Sequence, residues 1–319
     1  MPLWLTESDV RAVLSLEDLI PVMESALSAF SAGAVDQPVR TAIELRPRAF
    51  FGLMPAYDGM ASVLGAKLVS VIPENAARNL PTHLAAISLV DPETGELLAV
   101  MDGRYITELR TAAVSAISVK LLARADAGVL AILGSGVQAR SHVDAFRLIR
   151  QFREIRAWSP TADRLRAFAG ECGLETGDSA AQAIRGADVV LVATNMVTPA
   201  IDNGWVSDGA HVIAIGACRP SQREIDPALV ARARLFVDSR AAALQESGDI
   251  VQTIREGRIR EEDIAAELGD VIAGRARGRT RPHEVTLFKS LGLAIEDVAA
   301  AALVYRRARE AGRGCELTL

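Results

Sequence analysis

The sequence has few cysteines and places them far apart. Only three occur in 319 residues, Cys172, Cys218 and Cys315, and none belongs to a C-x-x-C pair. Disulfide frameworks and cysteine metal sites need grouped cysteines, so we expect neither, and we predict no bound metal. Residues 1–7 also lack the basic start and apolar stretch of a signal peptide. Together these absences predict a cytoplasmic protein.

Long apolar runs and long basic runs are missing as well. No apolar stretch reaches the roughly 18 residues that a membrane-spanning helix needs, so we predict no membrane association. The net charge is −5, and the basic loop at 275–281 is short enough to be interpreted as solvated, which argues against a nucleic-acid partner. A chain of 319 residues that is 50% apolar has material for two domains with a large core.

What the sequence does contain is a glycine-rich turn after a short apolar run. Val129–Leu133 predicts a strand buried on both faces, and residues 134–139 read G-S-G-V-Q-A, which matches G-x-G-x-x-G/A. In this motif the first glycine allows the turn, the second admits a pyrophosphate, and the third small residue lets the helix pack. The helix N-terminus favours phosphate binding. The pattern predicts a dinucleotide site, and a turn that merely holds two glycines is the alternative.

The predicted elements differ on the two sides of this turn. Upstream, helices begin near Thr6 and Ser15, mostly antiparallel strands follow over 39–100, and a helix covers 107–122. Downstream, strands and helices alternate as in a doubly wound parallel sheet. A long final helix is predicted over 287–309.

The second strand of the downstream half ends without a carboxylate. NAD sites place Asp or Glu there, about 20 residues after the glycines, to bind the ribose. Here Ser159 and Thr161 follow the strand, and Arg164 comes one helical turn later. Hydroxyls and a guanidinium suit a 2′-phosphate, so we predict NADP(H) over NAD(H). The alternative is that the two hydroxyls only cap the next helix.

Three basic residues stand apart from other charges and are candidate substrate ligands. Lys67 opens an otherwise apolar strand, Arg110 lies just before the dinucleotide-binding half, and Arg40 stands alone. An isolated basic residue is usually a surface charge. Three that converge, however, can bind one carboxylate together.

Several longer matches in chain order resemble the ornithine cyclodeaminase/μ-crystallin family, closest to its ketimine reductases. They are G-L-M-P-A-Y at 52–57, A-V-M-D-G at 99–103, R-T-A-A-V-S-A-I at 110–117, the turn at 132–139, V-D-S-R at 237–240, E-S-G-D at 246–249 and F-K-S-L-G at 288–292. The resemblance implies an α/β fold with a Rossmann dinucleotide-binding domain at 118–290. It also implies a discontinuous α+β substrate and dimerisation domain, residues 1–117 and 291–319, and a homodimer.

The resemblance also implies roles for single residues. Arg40, Lys67 and Arg110 match substrate-carboxylate residues, and His83 matches a pocket residue, with a packed or capping histidine as its alternative. The predicted catalytic set is Lys67, Arg110 and Cys218. The predicted cofactor-binding set is Thr111, Gly134, Ser135, Gly136, Val137, Gln138, Ser159, Thr161, Arg164, Thr194, Gly216 and Leu291. The nicotinamide is expected between Thr111 and the segment 216–218.

Two positions depart from the cyclodeaminase pattern. Cys218 stands where cyclodeaminases and the family's alanine dehydrogenases have an acid, and Gly52 stands where cyclodeaminases have Glu. Cyclising ornithine and expelling ammonia needs a base, and a cysteine with a pKa of about 8.5 is a poor substitute. Reducing a preformed cyclic imine needs only a hydride, a cationic carboxylate site and one proton.

The predicted function is therefore NADPH-dependent reduction of a cyclic ketimine carboxylate to a cyclic L-amino acid. Δ1-Pyrroline-2-carboxylate and Δ1-piperideine-2-carboxylate are the candidate substrates. The alternatives are ornithine cyclodeamination, L-amino-acid dehydrogenation and non-catalytic binding of a small molecule. The prediction requires Arg40, Lys67 and Arg110 to converge.

Overall fold

The computed structural model describes residues 1–318 and divides the chain into two compact units. The first unit comprises Met1–Ala113 and Gly292–Leu319, and the second comprises Val114–Leu291. The first boundary, after Ala113, lies inside a helix, four residues before the predicted boundary after residue 117. Throughout residues 1–318, no helix combines the length and the apolar character that crossing a membrane requires.

Strands dominate the start of the chain, and strands alternate with helices after it. The first unit begins with β1 (Leu3–Leu5), α1 (Glu7–Val13), α2 (Leu16–Ser31), β2 (Val35–Asp36), β3 (Thr41–Arg46), β4 (Ala49–Asp58), β5 (Val63–Val71), a 3₁₀ turn (Pro73–Arg78), β6 (His83–Val90), β7 (Leu97–Asp102) and α3 (Arg104–Leu122). The second unit continues with β8 (Val129–Leu133), α4 (Val137–Ile149), β9 (Glu154–Trp158), α5 (Ala162–Cys172), β10 (Glu175–Thr176), α6 (Ala180–Ile184), β11 (Val189–Val192), a 3₁₀ turn (Asn203–Trp205), β12 (His211–Ala214), α7 (Pro227–Arg232), β13 (Arg234–Val237), α8 (Arg240–Glu246), α9 (Gly248–Arg255), a 3₁₀ turn (Glu261–Asp263), β14 (Ile264–Glu267), α10 (Leu268–Ile272) and β15 (Thr286–Lys289). The first unit ends with α11 (Ala294–Glu310) and β16 (Cys315–Glu316).

The sheet of the first unit is mixed and buries one face. Its strand order is β16-β1-β7-β6-β5-β4-β2, with β3 paired to β4, and the strands from β3 to β7 pair antiparallel with one another. The register sets Met54 opposite Lys67, and Lys67 opposite Ile87. All three side chains are buried on the face that packs against α11. The sheet therefore presents Lys67 to that helix.

The opposite face of this sheet is apolar and exposed. Leu53 of β4 pairs with Leu68 of β5, and the two side chains are 41% and 44% exposed. We call this surface the apolar outer face. It consists of Ile43, Leu53, Tyr57, Leu68 and Leu84, all exposed.

The sheet of the second unit is parallel throughout, in the order β10-β9-β8-β11-β12-β15-β13-β14. The order reverses between β8 and β11, which makes that place the topological switch point. Ligands of such sheets bind outside the carboxyl ends of the strands at this point. The glycine-rich turn directly follows β8, so it lies where a dinucleotide binds in a Rossmann domain.

Two buried histidines explain where the boundary between the units falls. His142 hydrogen-bonds with Ser115 Oγ at 2.9 Å, and His211 with Ser118 Oγ at 3.1 Å. Burial lowers the pKa of His142 to about 4 and that of His211 to about 3. Both imidazoles are therefore neutral near pH 7. They tie the end of α3, from Val114 onward, into the second unit.

The predicted helix over 287–309 is wrong at its start. Residues Thr286–Lys289 form β15, a buried strand between β12 and β13, and the helix begins only at Ala294. Gly292 has φ +81°, in the left-handed region that no helix interior uses. A short apolar run fits a buried strand and a buried helix equally well, so its periodicity misled the prediction.

Candidate active site

Helix α3 begins against the first unit's sheet. Asp102 Oδ1 accepts hydrogen bonds from the backbone N–H groups of Arg104 and Tyr105, both at 3.1 Å. Gly103 allows close packing at this point, because a β-carbon on it would lie 2.9 Å from that of Ala85. The motif A-V-M-D-G thus starts α3 at a fixed place and aims Arg110 two turns later.

Lys67 and Arg110 meet on one carboxylate. Lys67 Nζ donates to Asp297 Oδ2 in a short contact, and Arg110 Nε donates to Asp297 Oδ1 at 3.1 Å. Arg110 Nη1 also donates to Glu296 Oε2 at 2.7 Å. All four side chains are buried, and the two acids lie in the first turns of α11.

Arg40 joins this group through Gly292. Its Nη2 donates to the Gly292 carbonyl oxygen at 3.2 Å, and a β-carbon on Gly292 would lie 2.5 Å from Arg110 Nη1. Arg40, Lys67 and Arg110, which we call the cationic cluster, are therefore gathered around the segment 292–297. Whether they bind a carboxylate stays a prediction.

Sequence reasoning did not identify the acids of this site. Glu296 and Asp297 are completely buried, although adjacent acids near a helix start usually face solvent. Their apolar surroundings, A-I before them and V-A-A-A-A after them, were the available signal.

The surroundings of Lys67 lower its pKa, so that its ammonium group can release a proton near neutral pH. Burial is the main reason why the pKa of Lys67 falls to about 8, the positive charges of Arg110 and Arg40 assist, and Asp297 opposes them. Burial alone would raise the pKa of Asp297, but Arg110 and Lys67 hold it below its usual range. The structure therefore pairs an ionised Asp297 with a lysine that titrates just above neutral pH.

His83 lies on the same sheet face as Lys67. In β6 it lies opposite Val71 of β5, and Val71 and Lys67 have the same orientation in that strand. Burial lowers the pKa of His83 to about 4, assisted by the positive charges of Lys67 and Arg110. A neutral imidazole therefore stands beside the cationic cluster. Its predicted contact with substrate stays a prediction.

The glycine-rich turn has the shape that a dinucleotide needs. Gly134 has φ +123°, and a β-carbon on it would lie 2.3 Å from the Ala193 carbonyl oxygen. A β-carbon on Gly136 would meet nothing within 4 Å, so the space in front of the helix start is open. Ala139 is completely buried, and α4 begins at Val137 with no side chain capping its first N–H groups. These residues fit a pyrophosphate.

The residues predicted to read the adenosine ribose lie beside that turn. Ser135 Oγ donates to Ser159 Oγ at 3.0 Å. Thr161 occupies the N-cap of α5 without a capping side-chain hydrogen bond, and it is exposed, like Arg164. The alternative in which both hydroxyls serve only as helix caps is therefore wrong for Thr161.

The other predicted cofactor residues are held by buried acids that sequence reasoning missed. Thr194 Oγ1 donates to Glu224 Oε2 at 3.2 Å, and the Gly216 N–H donates to Glu224 Oε1 at 2.6 Å. The Leu291 N–H donates to Asp238 Oδ2 at 2.5 Å. Cys218 is half-buried and packs against the apolar core of the second unit.

A Rossmann sheet with a fitting glycine turn, in a chain that also brings a cationic cluster together, defines a NAD(P)H-dependent oxidoreductase. The chain belongs to the ornithine cyclodeaminase/mu-crystallin family, whose model matches residues 2–312. Both the family and the α/β fold with a Rossmann domain are thereby confirmed.

Three relatives illustrate this membership. The ketimine reductase mu-crystallin of Mus musculus is 43% identical over 311 residues, 95% of this chain and 96% of that one. The Thermococcus litoralis Δ1-pyrroline-2-carboxylate reductase, solved in complex with NADH and L-proline, has a TM-score of 0.96 and 38% identity, and the match covers 99% of this chain and 100% of that one. An archaeal alanine dehydrogenase dimer with bound NAD has a TM-score of 0.94 and 33% identity, with 99% of each chain covered. The cofactor is therefore a nicotinamide dinucleotide.

The contact between Gly292 and Arg110 can be tested with one added methyl group. Gly292→Ala puts a β-carbon against the buried guanidinium, so we expect a loss of roughly 2–4 kcal/mol in the free energy of unfolding, measured in urea. Gly312→Ala is the matched control, because Gly312 has φ +61° and open space around it. That variant should lose only about 1 kcal/mol. Equal losses in both variants would show that the collision with Arg110 is unimportant.

Proposed function

We propose that the protein uses NADPH to reduce a cyclic ketimine carboxylate, Δ1-pyrroline-2-carboxylate or Δ1-piperideine-2-carboxylate, to the cyclic L-amino acid. The observation on which this depends most is the cationic cluster, which unites Arg40, Lys67 and Arg110 around Asp297 and Gly292. Two similar proteins support the substrate class: the mouse relative is a ketimine reductase, and the Thermococcus litoralis enzyme was solved with L-proline.

The three residues of the cationic cluster have different roles in the proposed reaction. Arg40 and Arg110 bind the substrate carboxylate through charge-assisted hydrogen bonds, and their positive charge draws electrons from the imine carbon. When bound, the reduced nicotinamide supplies the hydride. Lys67, with a pKa of about 8, gives one proton to the imine nitrogen, and Asp297 holds its ammonium group in place.

The alternative enzymatic functions need acidic side chains that this chain lacks. Cyclodeamination and amino-acid dehydrogenation in this family use an acid where Cys218 stands. Gly52 also stands where cyclodeaminases have a glutamate, so that second acid is missing as well. A purely binding role needs no lysine that titrates near neutral pH. These observations favour imine reduction.

Lys67 is the residue on which the proposal is tested. We expect Lys67→Met to lower kcat by about 100-fold or more, because the proton donor is lost. The measurement is NADPH oxidation with five- and six-membered cyclic imine carboxylates. In the wild type, kcat/KM should fall as the pH rises through about 8, where Lys67 loses its proton.

Lys120→Met, at an exposed lysine, is the control and should retain full turnover. Near-normal turnover of Lys67→Met would remove Lys67 from the mechanism. Release of ammonia and proline from ornithine with NAD⁺ would instead establish a cyclodeaminase. Tight binding of an aromatic acid without NADPH consumption would establish a binding protein.

The preference for NADPH is proposed from the surroundings of the ribose site. Ser159 and Thr161 offer hydroxyls, and Arg164 offers an exposed cation at the start of α5. The acid in that turn, Asp163, is paired with Arg166. A 2′-phosphate therefore meets donors and a cation there, although the two similar solved structures hold NADH and NAD.

Arg164→Ala tests the phosphate contact. We expect the variant to raise KM for NADPH by about tenfold, because one charge-assisted hydrogen bond to the phosphate is lost. KM for NADH in the same variant is the internal control and should change less than about twofold, since NADH has no 2′-phosphate. A wild type that prefers NADH, or equal effects on both cofactors, contradicts the proposal.

We propose a homodimer that forms through the apolar outer face. Five large apolar side chains are exposed there on neighbouring strands, which is unusual for a monomer's surface. The archaeal alanine dehydrogenase, 33% identical, is a dimer.

A charge on the apolar outer face should prevent dimerisation. Leu68→Glu is expected to give a monomer in light scattering after size exclusion, because a carboxylate would lose its water in the interface. Leu148→Glu is matched in exposure, 46% against 44% for Leu68, but it lies on α4 of the second unit. That variant should remain dimeric. A monomeric wild type, or a dimeric Leu68→Glu variant, would disprove this interface.

A further inference from the structure

Three charged side chains in the second unit are buried without a role in the proposed chemistry. Glu224 and Asp249 are 0% and 1% exposed, and Lys289, the last residue of β15, is 1% exposed. Lys289 Nζ lies 3.1 Å from Glu224 Oε1 and 3.1 Å from Asp249 Oδ2. A buried group of this kind is costly to maintain unless each charge is satisfied.

The carboxylate of Glu224 accepts hydrogen bonds from two loops. Its Oε1 accepts from the N–H groups of Gly216 and Ala217, at 2.6 and 3.0 Å, and its Oε2 accepts from Thr194 Oγ1 at 3.2 Å. Gly216 has no room for a side chain, because a β-carbon on it would lie 1.8 Å from the Thr194 carbonyl oxygen. One carboxylate therefore ties the loop after β11 to the loop after β12.

Glu224 is itself held in place by contacts with Asp249 and Lys289. Asp249 Oδ1 accepts from the N–H groups of Glu224 and Ile225, at 2.8 and 2.9 Å. Burial raises the pKa of Glu224, and the charge of Lys289 opposes that rise. Burial would lower the pKa of Lys289, but the two carboxylates outweigh it and raise that pKa. Asp249 fixes the backbone of Glu224, and Lys289 balances its charge.

The position of these loops indicates which half of the cofactor they face. The adenosine ribose is read at the end of β9, on one side of the switch point. On the other side, β11 lies next to β8, and β12 follows β11. A dinucleotide lies across the switch point, so its nicotinamide half faces the loops after β11 and β12.

We propose that Glu224, held by Asp249 and Lys289, is a positioning residue that fixes the loops at Thr194 and at 216–218 in the shape that binds the nicotinamide half of the cofactor. Glu224 acts through the loops and does not touch the substrate. The inference rests on the dinucleotide-binding part of the proposed function and is independent of the imine's identity.

The test compares two ligands that differ in the nicotinamide. Glu224→Gln removes the charge and one acceptor, so the loops lose their common anchor. We expect its Kd for NADPH, measured by calorimetry, to rise about tenfold or more, while its Kd for 2′-phospho-ADP-ribose changes less than about twofold. Glu224→Asp retains the charge but withdraws it from the loops, so the same pattern is expected. This second variant provides the test if the first does not fold.

Asp188→Asn is the matched control. Asp188 Oδ2 also accepts from two successive N–H groups, those of Gly128 and Val129, at 2.8 and 2.9 Å, but at the amino ends of the strands. Both Kd values of this variant should equal those of the wild type. Equal weakening of NADPH and 2′-phospho-ADP-ribose in the Glu224 variants, or no weakening, overturns the inference while leaving cofactor binding intact. A wild type that binds neither NADPH nor NADH overturns cofactor binding itself.

Discussion

The first unit's site depends on Asp297, whose two carboxylate oxygens accept hydrogen bonds from Lys67 and Arg110. Two cations this deeply buried would repel each other, and a lone buried charge costs several kcal/mol. Asp297 removes the repulsion and fixes both side chains, one from β5 and one from α3. It also limits the fall in the pKa of Lys67, which stops at about 8 instead of falling further. The carboxylate therefore supports both the geometry and the proton chemistry.

The second unit uses a buried carboxylate in a related way. Glu224 is completely buried, as Asp297 is, and each is satisfied by a lysine together with other donors. The difference lies in the other partners: Asp297 also binds the side chain of Arg110, whereas Glu224 binds backbone N–H groups of a loop. One acid arranges cations and the other arranges the backbone. In both, the acid is positioned by tertiary contacts and not by its local sequence.

Much of the fold was predictable because its signals are local. The glycine-rich turn, the strands before and after it, and the capping residues Thr6 and Ser15 are short-range patterns, and each is where it was predicted. The start of α11 was not predictable in this way. Thr286–Lys289 is apolar enough for either a strand or a helix, and its pairing with β12 and β13 decided the outcome.

The sequence by itself determined the dinucleotide turn, the family and the identity of the three cations, because a turn needs glycine locally and a family motif is contiguous. Only the tertiary structure decided that Lys67 and Asp297, which are 230 residues apart, share a hydrogen bond. The same holds for Glu224 and Lys289, at 65 residues. A buried acid and a solvated acid look identical in a sequence. A buried acid has lost its hydration water and has gained a cationic partner, and both changes occur only when distant segments pack together.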